Sequence, residues 1–85
     1  MKNEKDGNQI NIELSEEVAE GVYANLVMIA HSNTEFVLDF IRMMPGVPKA
    51  KVKSRIVITP EHAKRLLQAL QDNVEKYEAN FGHIK

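Results

Sequence analysis

Cysteine and tryptophan are both absent from the 85-residue chain. Without cysteine there is no disulfide, no thiolate zinc site and no cysteine nucleophile. A domain of this size buries only about 60–65% of the surface that its unfolded chain exposes. Small domains without disulfides or metals often depend on partner subunits for stability. The lack of cysteine also suits a reducing compartment, and we expect a cytoplasmic protein.

Long hydrophobic runs are lacking as well. The longest, residues 26–30, is five residues long, whereas a helix that crosses a bilayer needs about twenty. The N-terminal residues are polar and contain no apolar segment of the kind found in signal peptides. A composition of 44% hydrophobic and 27% charged residues is typical of a globular domain. We expect a disordered lead at residues 1–8, a single domain at residues 9–85, and no association with a membrane.

The formal net charge of -1 hides an uneven distribution of charge. Residues 1–20 contain six acids and two lysines, whereas residues 42–55 contain five basic residues and no acid. This basic stripe consists of Arg42, Lys49, Lys51, Lys53 and Arg55. Its last four members follow the two-residue period of a strand, which predicts that they point from one face.

The basic stripe has more than one explanation. Lysines on an edge strand prevent unwanted strand addition, and Glu35 and Asp39 on a neighbouring strand would neutralise them. Alternatively, the stripe follows the phosphates of a nucleic acid or binds another acidic partner. No aromatic residue is interleaved with the basic residues to stack on bases. The first explanation is favoured, and nucleic-acid binding remains the alternative function.

The pattern of apolar residues predicts four strands. Ile10, Ile12 and Leu14 alternate with polar residues, as in a half-buried strand. Apolar segments at residues 22–31, 36–41 and 49–59 predict three more strands, of which the first two form a hairpin around the turn residues 32–35. The connection at residues 15–21 has room for a helical turn at residues 16–20.

A long helix is predicted to end the chain. Thr59 is a good N-cap, Pro60 suits the first helical position, and Gly82 stands where a C-terminal cap is expected. No residue between Pro60 and Phe81 breaks the helix. The predicted fold class is therefore α+β, with a four-stranded antiparallel sheet followed by one long C-terminal helix.

The predicted helix has one apolar stripe, which we call the seam. Its members, spaced four or three residues apart, are Ala63, Leu67, Leu70, Val74, Tyr77 and Phe81. The simpler interpretation is that the seam covers the sheet of its own chain. The alternative is that part of the seam packs against a second copy, because a helix of about 33 Å overhangs a sheet about 15–20 Å wide.

Two of the predicted strands, at residues 22–31 and 36–41, are largely apolar on both faces. One helix covers only one face, and a sheet with one face in water would alternate between apolar and polar residues. We therefore expect a homo-oligomer, most simply a dimer in which sheet packs on sheet. Its expected interface residues are Tyr23, Val27, Ile29, Val37, Ile41, Val74, Tyr77 and Phe81.

Residues that carry chemistry are few and scattered. His31, His62 and His83 lack the spacing of a helical zinc site. Glu35 and Asp39 are about 13 Å apart along a strand, too far for a catalytic pair. No serine or glycine lies in a nucleophile-elbow or phosphate-loop motif. We expect no catalytic residue, no cofactor and no metal, and we expect Arg55 to pair with Asp39.

Two blocks of the sequence resemble a family of short bacterial and archaeal proteins classed as a domain of unknown function. The first block is VYAN at 22–25 with SNTEFVLDF at 32–40. The second is SRIVITPEHAKRLL at 54–67, followed by Asn73, Tyr77-Glu78 and Phe81-Gly82. The resemblance covers about residues 10–84 and implies a cytoplasmic protein, with no activity or site residue to carry over. The layout alone is similar to the export chaperone of the Sec pathway.

These observations lead to one expected function and one alternative. We expect a non-enzymatic homo-oligomer that serves as a protein-interaction or assembly module, with itself as the first partner. The alternative is a nucleic-acid-binding protein that uses the basic stripe on the fourth predicted strand.

Overall fold

The computed structural model describes residues 10–85, so the expected lead at residues 1–8 lies outside the described residues. Within these residues, two helices and three strands follow one another. They are α1 (Glu16–Ala19), β1 (Leu26–His31), β2 (Phe36–Arg42), β3 (Lys51–Ile58) and α2 (Pro60–Phe81). The α+β class and the C-terminal helix are confirmed.

The three strands form one antiparallel sheet in the order β1-β2-β3. The β1–β2 hairpin closes over the predicted turn, where the Ser32 N–H donates to the Glu35 carbonyl at 2.9 Å. The Ser32 hydroxyl also accepts from the backbone N–H groups of Thr34 and Glu35. These bonds satisfy the turn backbone locally, which is why this short polar segment folds back on itself.

The first of the four predicted strands is not found in residues 10–85, so the prediction of a strand at Ile10–Leu14 was wrong. Ile10, Ile12 and Leu14 are exposed and belong to no strand. Side chains alternate with period two along any extended backbone. The alternation alone does not show that a neighbouring strand is present to form hydrogen bonds with the segment. The strand expected at residues 22–31 is also shorter, because β1 begins at Leu26.

A β-bulge interrupts the pairing of β2 with β3. Phe40 lies opposite Ser54, and Ile41 lies opposite Val52, so Lys53 is the extra residue. A bulge breaks the two-residue alternation of side chains. The alternation of side chains between the two faces is therefore shifted by one residue at Lys53. Basic residues before and after Lys53 do not keep to one face of the sheet.

The caps of α2 are those that the sequence predicts. The Thr59 hydroxyl accepts from the His62 N–H at 3.2 Å, Pro60 occupies the first turn, and the Gly82 N–H donates to the Glu78 carbonyl at 3.0 Å. Gly82 has a φ of 103°, a conformation that favours glycine. Local capping therefore sets both ends of the helix.

Removing the N-cap hydroxyl gives a first testable prediction. Thr59→Ala should lower the free energy of unfolding by about 1 kcal/mol, because the His62 N–H loses its acceptor. Thr59→Ser keeps an acceptor and should stay close to the parent. Urea unfolding followed by circular dichroism measures both, and equal losses in the two variants would contradict the capping role.

The helix does not lie over its own sheet. No strand makes an extensive contact with α2, and Leu67, Leu70 and Phe81 of the seam are 65%, 58% and 75% exposed. The interpretation that the seam covers the sheet of the same chain was therefore wrong. A sequence pattern shows that a stripe is apolar, but it does not show which surface covers it.

One copy of the chain buries very little apolar surface. In residues 10–85 the buried apolar side chains are Leu38 and Ile41. The accessible surface is 7881 Å², whereas a compact monomer of 9.7 kDa exposes about 5,100 Å². The radius of gyration is 16.3 Å, against about 12 Å for a compact domain. An isolated copy therefore lacks the core that stabilises a folded domain.

Candidate functional site

The strand register divides the sheet into two faces. The Leu38 face contains Val27, Ile29 and His31 of β1, Phe36, Leu38 and Phe40 of β2, and Ser54, Ile56 and Ile58 of β3. The Asp39 face contains Leu26, Met28, Ala30, Val37, Asp39, Ile41, Val52, Arg55 and Val57. Both faces are largely apolar, as the sequence predicts, but only the Asp39 face has charged residues at its centre.

The expected interface residues do not all lie on one face. Val27 pairs with Phe40 and Ile29 with Leu38, so both belong to the Leu38 face. Val37 and Ile41 belong to the Asp39 face, and Ile41 is already buried within its own chain. The grouping of these four residues on one surface was therefore wrong. Val27 and Ile29 remain 41% and 62% exposed.

The C-terminal half of the seam is a continuous apolar surface. Val74, Tyr77 and Phe81 are 37%, 51% and 75% exposed, and the rings of Tyr77 and Phe81 lie 5.1 Å apart. Tyr23 is also exposed, but it lies beside β2, where the Arg42 guanidinium is 5.8 Å from its ring centre. The seam and the Leu38 face are thus two separate apolar surfaces of one chain.

Arg55 and Asp39 form the ion pair that the sequence predicts. They lie directly opposite each other on β3 and β2. The Arg55 Nε and Nη2 donate to the two Asp39 carboxylate oxygens at 2.7 and 2.8 Å. The Asp39 side chain is only 17% exposed. The hydrogen bonds from Arg55 hold the pKa of Asp39 below its ordinary value.

This ion pair predicts a pH dependence. A lowered pKa means that the pair stabilises the fold above the ordinary aspartate pKa of 3.8, and that this stabilisation is lost as the pH falls through the lowered value. Asp39→Asn should lack this acid-dependent step, whereas Asp72→Asn on α2 should keep it. The free energy of unfolding measured against pH tests both variants, and identical profiles for parent and Asp39→Asn would contradict the role of the pair.

The rest of the basic stripe lies elsewhere. Lys51 pairs with Arg42 across the two strands, and Arg42 lies on the Leu38 face rather than on the Asp39 face. The bulge at Lys53 thus separates Lys51 from Arg55, and the prediction that the last four members share one face was wrong. The other four basic residues surround a cavity of about 290 Å³, which we call the cationic pocket. It is lined by Arg42, Met44, Val47, Lys49, Lys51 and Lys53.

Asn25 fixes the chain next to the cationic pocket. Its Oδ1 accepts from the Met43 N–H at 2.8 Å, and its Nδ2 donates to the Met43 carbonyl at 3.0 Å. The Asn25 side-chain amide thus forms the two hydrogen bonds that a paired strand residue would form, one position before β1 begins. Both hydrogen bonds of the Asn25 side chain therefore join two parts of its own chain.

The histidines remain separate from one another. His31 stacks on Phe36 with ring centres 5.2 Å apart, and His83 Nδ1 lies 3.4 Å from a Glu78 carboxylate oxygen. Within residues 10–85, no three histidine, aspartate or glutamate side chains are grouped as metal ligands. In the same part of the chain no helix is both long enough and apolar enough to cross a membrane.

Comparison with known proteins identifies the family. The model of the family described as protein of unknown function (DUF3467) matches residues 1–85. The chain belongs to this family. No curated protein and no solved structure matches the chain, so the layout likeness to the Sec-pathway chaperone has no support. Membership of DUF3467 confirms the resemblance read from the two sequence blocks and brings no activity with it.

Proposed function

We propose that the chain is a homo-oligomeric protein-interaction or assembly module without catalytic activity. The proposal rests on how little apolar surface one copy buries. Two apolar side chains are buried in residues 10–85, whereas 23 large apolar side chains there are exposed. A monomer that left this surface in water would expose far more than the few hundred Å² usual for a monomer.

The size of the exposed surface supports a stable assembly. The accessible area exceeds that of a compact monomer by about 2,800 Å². A stable interface buries about 800 Å² on each partner. The excess is therefore large enough for an obligate interface, of the kind that resembles a domain core cut in half.

A second copy of the chain is the partner favoured by the arrangement of the two apolar surfaces. The seam is an apolar ridge on a helix, and the Leu38 face is an apolar sheet surface. Each needs an apolar cover, and one copy does not use its seam to cover its Leu38 face. Two copies related by a two-fold axis supply both surfaces to each other.

Light scattering after size exclusion tests the proposal. We expect a mass of at least twice 9.7 kDa that persists over about a hundredfold dilution. Thermal unfolding should shift to higher temperature as the protein concentration rises, because assembly is linked to folding. A folded species with the mass of one chain at every concentration would overturn the proposal.

The alternative function, nucleic-acid binding by the basic stripe, has less support. Arg55 is bound to Asp39, and the four remaining basic residues surround a pocket of limited size. Tracking a nucleic-acid backbone requires cations in an extended row. Affinity for labelled DNA or RNA that falls steeply with salt, and that is lost in the Lys49/Lys51/Lys53→Glu variant, would favour this alternative.

A further inference from the structure

The cationic pocket holds four positive charges that have no partner of opposite sign among residues 10–85. In residues 10–85 the one ion pair between an arginine or lysine and a carboxylate is Arg55–Asp39, and His83 lies beside Glu78. None of the four cations therefore has a carboxylate of the described chain within 4.0 Å. Like charges held close together repel one another and raise the free energy of the empty pocket. An anion that enters the pocket relieves this repulsion.

Local structure holds the walls of the pocket in place. Residues 44–47 form a tight turn in which the Val47 N–H donates to the Met44 carbonyl at 3.2 Å. Pro45 and Gly46, with a φ of 80° at the glycine, are the residues that such a turn requires. Asn25 fixes the adjacent Met43 through both of its backbone groups. These contacts are made within the chain itself, so a ligand need not order this wall as it binds.

The cations on the opposite walls are positioned as well. The Arg42 guanidinium lies over the Tyr23 ring, a contact that restricts its orientation. Lys51 is fixed opposite Arg42 by the strand register, and the bulge turns Lys53 toward the same cavity. Met44 and Val47 add apolar surface.

We propose that the cationic pocket binds the linked phosphates of a small phosphorylated molecule, such as a diphosphate or triphosphate group. One phosphate carries about -1.5 to -2 charges at neutral pH, so two linked phosphates bring roughly the charge that four cations neutralise. Arginine and lysine are the side chains that recognise phosphate oxygens. The cavity of about 290 Å³ has room for a compact group of this kind.

Pyrophosphate is the probe for this site. We expect calorimetric titration of the full chain at low ionic strength to show saturable binding of one pyrophosphate per chain. In a parallel titration, backbone amide signals of residues 42–53 should shift. Inorganic phosphate, with half the number of phosphoryl groups, should bind more weakly. No saturable binding of pyrophosphate at low ionic strength overturns the proposal.

A matched pair of variants separates the site from general charge. Lys51→Gln/Lys53→Gln should weaken pyrophosphate binding about tenfold or more, because two charge-assisted bonds are lost. Lys64→Gln/Lys76→Gln removes the same charge from α2 and should leave binding nearly unchanged. Equal weakening in both variants shows binding to net charge only and overturns the proposal.

A labelled oligonucleotide distinguishes the other class of ligand. If the oligonucleotide binds and excess pyrophosphate displaces it, the phosphate site is supported. Oligonucleotide binding that pyrophosphate does not displace, together with undetectable pyrophosphate binding, overturns the proposal in favour of nucleic acid. Light scattering on the same samples reports the oligomeric state separately, so failure of the assembly proposal and failure of the pocket proposal are distinguishable.

Discussion

Leu70→Asp is expected to dissociate the oligomer and to lower its stability. Leu70 is in the middle of the seam and is 58% exposed in one copy. If a second copy covers it, the substitution removes about 1.5–3 kcal/mol of apolar burial and places a carboxylate in a dry interface. Light scattering should show a lower mass, and urea unfolding a lower midpoint.

Gln68→Asp is the matched control for Leu70→Asp. Gln68 lies two residues before Leu70. Two residues correspond to about half a turn of a helix with 3.6 residues per turn, so Gln68 is on the side of α2 away from the seam. The control introduces the same residue and the same charge into the middle of the same helix, so it carries the same loss of helix propensity. We expect it to keep the parent mass. If both variants keep the parent mass, the seam is not a subunit contact.

The parts of the fold that the sequence predicts correctly are those set by neighbouring residues. Thr59, Pro60 and Gly82 determine the ends of α2 through hydrogen bonds and dihedral angles that involve only a few residues on either side. The Ser32–Glu35 turn closes the hairpin in the same local way. Such features need no knowledge of the tertiary structure, and their residue patterns are therefore reliable.

The incorrect predictions concern contacts between distant parts of the chain. The alternation at Ile10, Ile12 and Leu14 describes an extended backbone but identifies no partner strand. The spacing of the seam residues predicts an apolar stripe on α2, but it does not predict which surface packs against that stripe. Each pattern indicates that certain side chains favour burial. Several different surfaces could bury them, and only the tertiary structure shows which surface does so.

The candidate site contains one correct prediction between distant residues and one feature that the sequence did not indicate. The Arg55–Asp39 pair was predictable because opposite charges on adjacent strands attract. The cationic pocket was not, because it depends on a bulge at Lys53 that no glycine or proline between residues 51 and 58 indicates. One extra residue in β3 places Lys51 and Arg55 on opposite faces of the sheet. The other four basic residues therefore line a pocket instead of forming the expected linear stripe with Arg55.

Ile29→Asn is expected to weaken the assembly, whereas Met28→Asn is expected to leave it largely intact. The two residues are neighbours on β1, they are 62% and 60% exposed in one copy, and they point to opposite faces of the sheet. Ile29 belongs to the Leu38 face, which has no charged residue at its centre. Met28 lies opposite Asp39, whose carboxylate is bound to Arg55. An ion pair at the centre of a face is costly to remove from water.

The difference between these two variants identifies the face of the sheet that a second copy covers. Loss of one buried isoleucine corresponds to about 1.5–3 kcal/mol per copy. The two copies of a dimer therefore lose about 3–6 kcal/mol, which raises the dissociation constant roughly 10²- to 10⁴-fold. Sedimentation velocity over a dilution series measures that constant for each variant. A larger effect of Met28→Asn would place the interface on the Asp39 face. The Arg55–Asp39 pair would then be buried between subunits, and Asp39→Asn would also dissociate the oligomer, because Arg55 would be left as an unpaired buried charge.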